Sequence, residues 1–185
     1  MGQQFGSPGL GLMETLSPAL AITGSQFGDM FLSVTSSRQG SLTGEASAPG
    51  YEGQMNISAW QWGLFVADAM SGKRGGVRGA KALSVIKNVD TATTKLMSAL
   101  SKRENLKEVT LTMRRSGDHQ VAFMQIKLTK ALVVALDVQG RPDGGLIEQV
   151  AFQFESVEVV YAGQGSRGQN LPSTTYTDNF SLEPK

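Results

Sequence analysis

The sequence predicts a mostly β protein with a single amphipathic helix. Three observations lead there. Short apolar runs with a period of two recur along the chain, at residues 30–34, 83–89, 109–113 and 146–161 among others. Clusters of glycine with proline, serine or aspartate separate them, and 22 glycines suit a β chain with many turns. Only within residues 80–115 do apolar residues fall at helical spacing: Ala92, Leu96, Ala99 and Leu100 stand at i, i+4, i+7 and i+8.

Composition narrows the class. A chain of 185 residues is one domain with tails, long enough to bury about 70% of its unfolded surface. A net charge of +1 points to no class of partner. The absence of cysteine excludes disulfides, cysteine–zinc sites and thiol catalysis, and one histidine leaves little room for a histidine-rich metal site. Residues 1–28 read as an N-terminal arm or extension, either with a short helix at 12–16 or ordered against a neighbouring subunit. No Lys or Arg precedes their apolar part and Glu14 interrupts it, which argues against a signal peptide. No run of about 18 apolar residues offers a membrane span.

The domain proper starts at Asp29. Met30, Leu32 and Val34 alternate with Phe31 and Ser33 as a first strand; 36–40 is a turn and 41–45 a short return. Residues 46–53 form a loop whose bends Pro49 and the glycines fix. Residues 55–66 read as one strand, with Ser58, Trp60, Trp62 and Leu64 on one face and Ala59, Gln61 and Gly63 on the other. The two tryptophans mark the core face, and the small and polar residues opposite imply water or a polar cavity. Residues 67–79, glycine-rich with Lys73, Arg74 and Arg78, read as a flexible surface connection.

A strand at 83–89 then leads to Asp90, placed as helix N-cap. Lys102 and Arg103 fall in the last turn, where cations suit the helix dipole, and Asn105 is the candidate left-handed C′ residue. Val109, Leu111 and Met113 form the next strand, and 116–119 a hairpin turn. Residues 121–138 are too long for one flat strand, so a break is expected near 129–131. After the turn cluster 139–145, Val150, Phe152 and Phe154 share one face, whereas Val157, Val159 and Tyr161 continue on odd numbers. That flip across Glu155 and Ser156 predicts a bulge or twist. Residues 163–185 read as a polar C-terminal tail, a linker or a second interaction arm.

Catalytic chemistry is absent from this pattern. Gly163, Gly165 and Gly168 match G-x-G-x-x-G, but Pro172 and a Ser/Thr run follow where a helix must open. The Gly72–Lys73 pair lacks the remainder of a phosphate loop. His119 beside Asp118 has no nucleophile motif and reads as an exposed turn histidine. Glu45 and Glu52 flank the 46–53 loop in the manner of a carboxylate pair, but read instead as part of a solvated loop or an intersubunit contact. Lys73, Arg74, Arg78, Lys81, Arg114 and Arg115 lack the interleaved aromatics of a nucleic-acid platform. No catalytic, cofactor or metal residue is assigned.

The order of the pieces resembles the haemolysin-coregulated protein (Hcp) family. The resemblance lies in Asp29-Met-Phe-Leu, Gly44-Glu45, Ile57-Ser-Ala-Trp-Gln-Trp-Gly63, Lys87-Asn-Val-Asp90 with Leu96, Leu111-Thr-Met-Arg-Arg115, and Glu148 opening the strand that ends in Val159-Val-Tyr161. It spans roughly residues 29–161; Ala46, where the family usually has serine, and the long N-terminal arm depart from it. It implies a two-sheet, tail-tube-like β-barrel over 29–162 with one flanking helix, and a structural rather than enzymatic role. Six subunits would close into a ring, and rings would stack into the type VI secretion inner tube inside a contractile sheath, tipped by a spike and carrying effectors. Such a protein is made in the bacterial cytoplasm and secreted through the apparatus without a signal peptide, with no stable membrane insertion and no nucleic acid. The resemblance implies a ring-stacking loop of Glu45, Ala46, Ser47, Ala48, Pro49, Gly50, Tyr51, Glu52 and Gly53, with Ala59 and Gln61 facing cargo in the lumen. A phage or contractile-injection tail tube, and a monomeric β-barrel module binding nucleic acid or glycan, are the alternatives.

Overall fold

The computed structural model describes residues 28–67, 77–115, 121–164 and 170–180. Ten strands and one helix follow in the order β1 (Met30–Ser36), β2 (Gly40–Ser41), β3 (Met55–Gln61), β4 (Leu64–Ala67), β5 (Val77–Ala80), β6 (Leu83–Asn88), α1 (Thr93–Ser101), β7 (Leu106–Arg114), β8 (Ala122–Gly140), β9 (Leu146–Gln164) and β10 (Asn170–Asn179). Hydrogen-bonded neighbours run β9-β6-β3-β1-β7-β8, and β8 pairs back onto β9. Six antiparallel strands thus close a barrel, which leaves its sheet no continuous free edge. The strand β10 adds to the far half of β9, β2 adds to β1, and β4–β5 form a separate two-stranded ribbon. The expected mostly β barrel with one helix is therefore what forms.

Alternation explains the interior. Leu32 and Val34 of β1, Leu83 and Val85 of β6, Val109 and Leu111 of β7, Ile126 and Leu128 of β8, and Val150 and Phe152 of β9 are buried together. Ala92, Leu96 and Ala99 bring the apolar helix face onto the same cluster. Each such aliphatic or aromatic side chain contributes about 1.5–3 kcal/mol of burial.

The two 19-residue strands β8 and β9 pair along their whole length while changing partners. β7 leaves β8 at Ala131; β6 leaves β9 at Phe152, and β10 takes over from Ser156. The predicted break near 129–131 is a bend at Lys130, whose φ is 51°. The phase flip across Glu155 and Ser156 is the same corner seen from β9, since Thr129 pairs Ser156 and Ala131 pairs Phe154. No register shift occurs there; the bulge lies between Val133 and Ala135.

Several expectations are corrected. Residues 55–66 form two strands, and a register shift between Ile57 and Ala59 leaves Ser58 exposed while Trp60 and Trp62 pack against the core. Leu64 does not join them: it is 49% exposed on the ribbon. Part of the supposed connection 67–79 is β5, with Gly79 beneath the Phe65 ring, where a Cβ would come within 2.6 Å. Residues 170–179, read as polar tail, are a strand; Thr174, Thr175, Tyr176 and Thr177 favour a pleated surface, and Pro172 sits in the gap of the register. Lys73, Arg74, His119 and the Gly165–Gly168 pair lie outside the described residues.

Asp90 does not occupy the N-cap position, which is Ala92. It stands two residues upstream, where its carboxylate accepts from the Ala92 N–H at 2.9 Å and its own N–H donates to Thr93 Oγ1 at 3.0 Å. At the other end, Lys102 is the C-cap and Arg103 (φ 49°), not Asn105, takes the left-handed conformation. The Glu104 and Arg103 N–H groups then bond the carbonyls of Ala99 and Leu100, a Schellman closure.

Two polar clusters pin this framework. Lys87, fully buried, places Nζ 2.6 Å from Glu148 Oε1, 2.7 Å from Asp90 Oδ1 and 2.8 Å from the Asn88 carbonyl. Thr93 Oγ1 also donates to Glu148, at 3.0 Å. Glu104, just past α1, accepts from the Ser36 hydroxyl, the Arg38 N–H and the Gln39 amide, so it fastens the β1–β2 turn to the helix exit. The Ser36 and Gln39 hydrogen bonds hold its carboxyl below the ordinary value of 4.5.

Lys87→Met leaves two carboxylates buried without their cation, and should cost about 3–5 kcal/mol in denaturant unfolding. Replacing Lys87, Asp90 and Glu148 together by apolar residues should cost less. The stabilisation from Glu104 is complete above pH 4.5 and is lost as pH falls through its lowered folded value. Unfolding midpoints measured against pH should therefore show an acid limb that Glu104→Gln flattens.

Candidate assembly surfaces

The barrel wall has one unusual sector. In β3, β6, the first half of β9 and the second half of β8, residues facing away from the core line up in cross-strand rows. Gln61 pairs Ser84, Ser84 pairs Ala151, and Ala151 pairs Ala135. The next row runs Ala59, Ile86, Gln149, Asp137. The intervening row, Trp60, Val85, Val150 and Leu136, points to the core. The outer face of this four-stranded sector thus carries Ala, Ser and Gln side chains together with Ile86 and a single carboxylate, Asp137; Ala59 and Gln61 lie on it, and Ser84 and Ala151 on it are buried. The amide oxygen of Gln61 is buried there without a hydrogen-bond partner.

Among the described residues, both sides of this sector end in backbone that no further strand pairs. β1 pairs β3 only at Met55 and Asn56, so residues 57–61 bond β6 alone. β7 stops at Ala131, so residues 132–140 of β8 bond β9 alone. The two edges differ in sequence and stand on opposite sides of the sector.

The loop 45–53 leaves the barrel between β2 and β3. Its base is closed by backbone bonds: Gly44 N–H to the Gly53 carbonyl, Gly53 N–H to Ala46, and Ala46 N–H to Gln54. Ala46 is buried, whereas Ser47, Pro49, Gly50 and Glu52 are exposed. Tyr51 folds inward and stacks on Phe31 of β1, ring centroids 4.3 Å apart and planes 16° apart. The Arg114 guanidinium straddles the pair, 5.3 Å from one centroid and 5.4 Å from the other, while Asp29 holds it at 2.5 Å. The flanking carboxylates do not form a pair: Glu45 accepts from the Thr91 N–H and Glu52 from the Gly50 N–H. Gly28 lies against the Arg114 carbonyl, where a Cβ would come within 1.7 Å, so the chain enters β1 through a position only glycine fits.

A third surface was not legible in the sequence. The ribbon exposes Leu64, Phe65 and Val66 in succession, and with Tyr176, Asp178 and Phe180 it borders an open groove of about 290 Å³. Arg78 crosses the groove to Asp178 at 2.9 Å, and Tyr176 Oη donates to the same carboxylate at 2.8 Å. That bond pushes the phenol up and holds Asp178 down. Those of the singled-out cations that are described do not gather: Arg78 is paired here, Arg114 is buried in the aromatic stack, and Arg115 lies over Phe123, 5.1 Å from its centroid. Among the described residues no three His, Cys, Asp or Glu side chains converge as metal ligands, and no helix is long and apolar enough to cross a membrane.

Comparison with known proteins places this arrangement. The family profile described as type VI secretion system effector, Hcp, matches residues 31–161. Among solved structures, one described as a type six secretion system protein is 22% identical with a TM-score of 0.72, covering 84% of this chain and 96% of the other. A double mutant of Hcp1 from the E. coli EAEC 042 pathovar is 18% identical with a TM-score of 0.69, covering 83% and 99%. The secreted protein Hcp3 from Pseudomonas aeruginosa is 17% identical with a TM-score of 0.63, covering 83% and 98%. A search of curated protein sequences finds no match. With the profile spanning most of the chain and the same barrel recurring in these structures, the protein belongs to the Hcp family of type VI secretion tube proteins.

Proposed function

We propose that six copies of this protein close into a ring, that rings stack into the inner tube of a type VI secretion system, and that effectors travel in its lumen. The observation that carries this reading is the four-stranded sector with unlike open edges. A surface that ends in two different edges favours head-to-tail contact, and head-to-tail contact closes a ring when the rotation between copies fits. The β3 edge of one copy would pair the β8 edge of the next, joining the sectors into a continuous inner wall. That wall would present Ala59, Gln61, Ile86, Gln149 and Asp137 to the lumen: a mainly polar surface with one carboxylate per copy, over which cargo moves. The loop 45–53, with its exposed tip, would meet the adjacent ring. Contractile sheath and spike proteins would surround and cap the tube, and the protein would leave the cell through the apparatus that it builds.

Negative-stain imaging with solution mass should give closed six-membered rings or short tubes; a stable monomer at high concentration would overturn the proposal. Gln61→Asp should reduce retention of lumenal cargo in co-purification while ring mass stays unchanged. Loss of the rings themselves would make Gln61 a structural residue instead.

A further inference from the structure

The stacking loop is held by an unusual device. Loops of this length with a polar tip ordinarily sample many conformations, because fixing each backbone residue costs about 1–2 kcal/mol. Here one aromatic side chain from the loop is captured by the barrel. Tyr51 stacks on Phe31, which is itself buried, and both rings border Arg114. Arg114 is 96% buried with Nε lacking a hydrogen-bond partner, so its guanidinium is committed to the rings and to Asp29. Stacked aromatics and a desolvated cation over their faces attract each other beyond simple burial. The partners come from three places in the chain: the start of β1, the end of β7 and the loop.

We infer that Tyr51 is a positioning residue for ring stacking: its capture by Phe31 and Arg114 sets the loop in the conformation that presents Ser47, Pro49 and Gly50 outward. This rests on the reading of the loop as the ring-to-ring contact. A planar side chain is required at residue 114, since lysine would keep the charge facing Asp29 but not the guanidinium plane against the rings. The tyrosine hydroxyl has no bonding role in the clamp. Six loops must be set at once, so if each clamp is open about half the time, the fraction of fully set rings falls about 60-fold.

The test compares Tyr51→Ala, Tyr51→Phe, Arg114→Lys and a tip variant, Pro49→Arg, in the full chain. Two readouts are taken: cleavage of isolated rings by a glutamate-specific protease at Glu45 and Glu52, which reports how often the loop backbone opens far enough to enter the protease, and tube length by negative stain. Tyr51→Ala should be cut about tenfold faster than the unaltered protein, keep its ring mass and lose its tubes. Tyr51→Phe should behave as the unaltered protein, with Arg114→Lys between the two. Unchanged cleavage in Tyr51→Ala would overturn the clamp. Faster cleavage with normal tubes, while Pro49→Arg abolishes them, would overturn the positioning role alone. Normal tubes in Pro49→Arg as well would overturn the reading of the loop itself.

Discussion

A lysine ammonium with no access to solvent governs this structure. Removing such a charge from water costs several kcal/mol, and only close, well-directed partners offset that cost. Lys87 has two carboxylates and a carbonyl within 2.8 Å, contributed by β6, β9 and the turn into α1. Those three elements are therefore fixed relative to one another by charge. Because Lys87 pairs Glu148 directly across the strands, the cluster also sets the β6–β9 register. A slip of one residue would turn Lys87 outward and drive Ile86 or Asn88 into its place. The same register decides that Ser84, Ile86, Gln149 and Ala151 face outward beside Gln61. The chemistry of the outer wall thus depends on an ion pair hidden behind it.

The barrel and its appendages divide the work. Closure satisfies the backbone of most strands internally, which makes a rigid body without aggregation-prone sheet edges along most of its circumference. Among the described residues, open strand edges lie along 57–61 of β3, 132–140 of β8, and the outer sides of β2, β10 and the ribbon, and the ribbon exposes three apolar residues in succession. Restricting sticky features to a few sites is what a subunit needs if it is to contact its own copies in one geometry and little else.

Much of the barrel could be read from residues alone, for identifiable reasons. Val109, Leu111 and Met113 alternate cleanly because β7 has one core face, and Ala92, Leu96 and Ala99 mark the helix because nothing else in the chain has that period. Lys130 and the Glu155–Ser156 flip were each visible, although their identity as one corner required the pairing between strands. The misses are equally specific. The register shift beside Ser58 is marked only by a change of apolar phase, from Met55 and Ile57 to Trp60 and Trp62, and the two tryptophans alone set the face when 55–66 is read as one strand. Arg103 adopts a left-handed turn that sequence assigns more readily to Asn105. β10 is polar on both sides, which hides a strand that lies at a sheet edge. The ribbon carries exposed apolar residues on two short strands, and its ion pair to β10, Arg78 with Asp178, joins residues far apart in sequence. Of the residues proposed for assembly, Ala59 and Gln61 could be placed on the face opposite the tryptophans; the packing of Tyr51 was invisible, because Phe31 and Arg114 meet it only in three dimensions.

The closing strand of the barrel has a consequence for how the protein is made. β9 supplies the final pairing on both sides, with Leu83 joining Phe152 and Val133 joining the same residue from the opposite flank. Until that segment emerges from the ribosome, β6 pairs only β3 and β8 only β7, so each keeps one side open, and the β6–β9 contacts, of long sequence separation, form slowly. Every chain therefore passes through a stage in which an open sheet is exposed to its neighbours during synthesis. A polypeptide interrupted before residue 146 never leaves that stage and becomes a substrate for chaperones and proteases. Only chains translated nearly to the end acquire the shape that other copies recognise, so the fold itself screens out incomplete subunits before polymerisation begins.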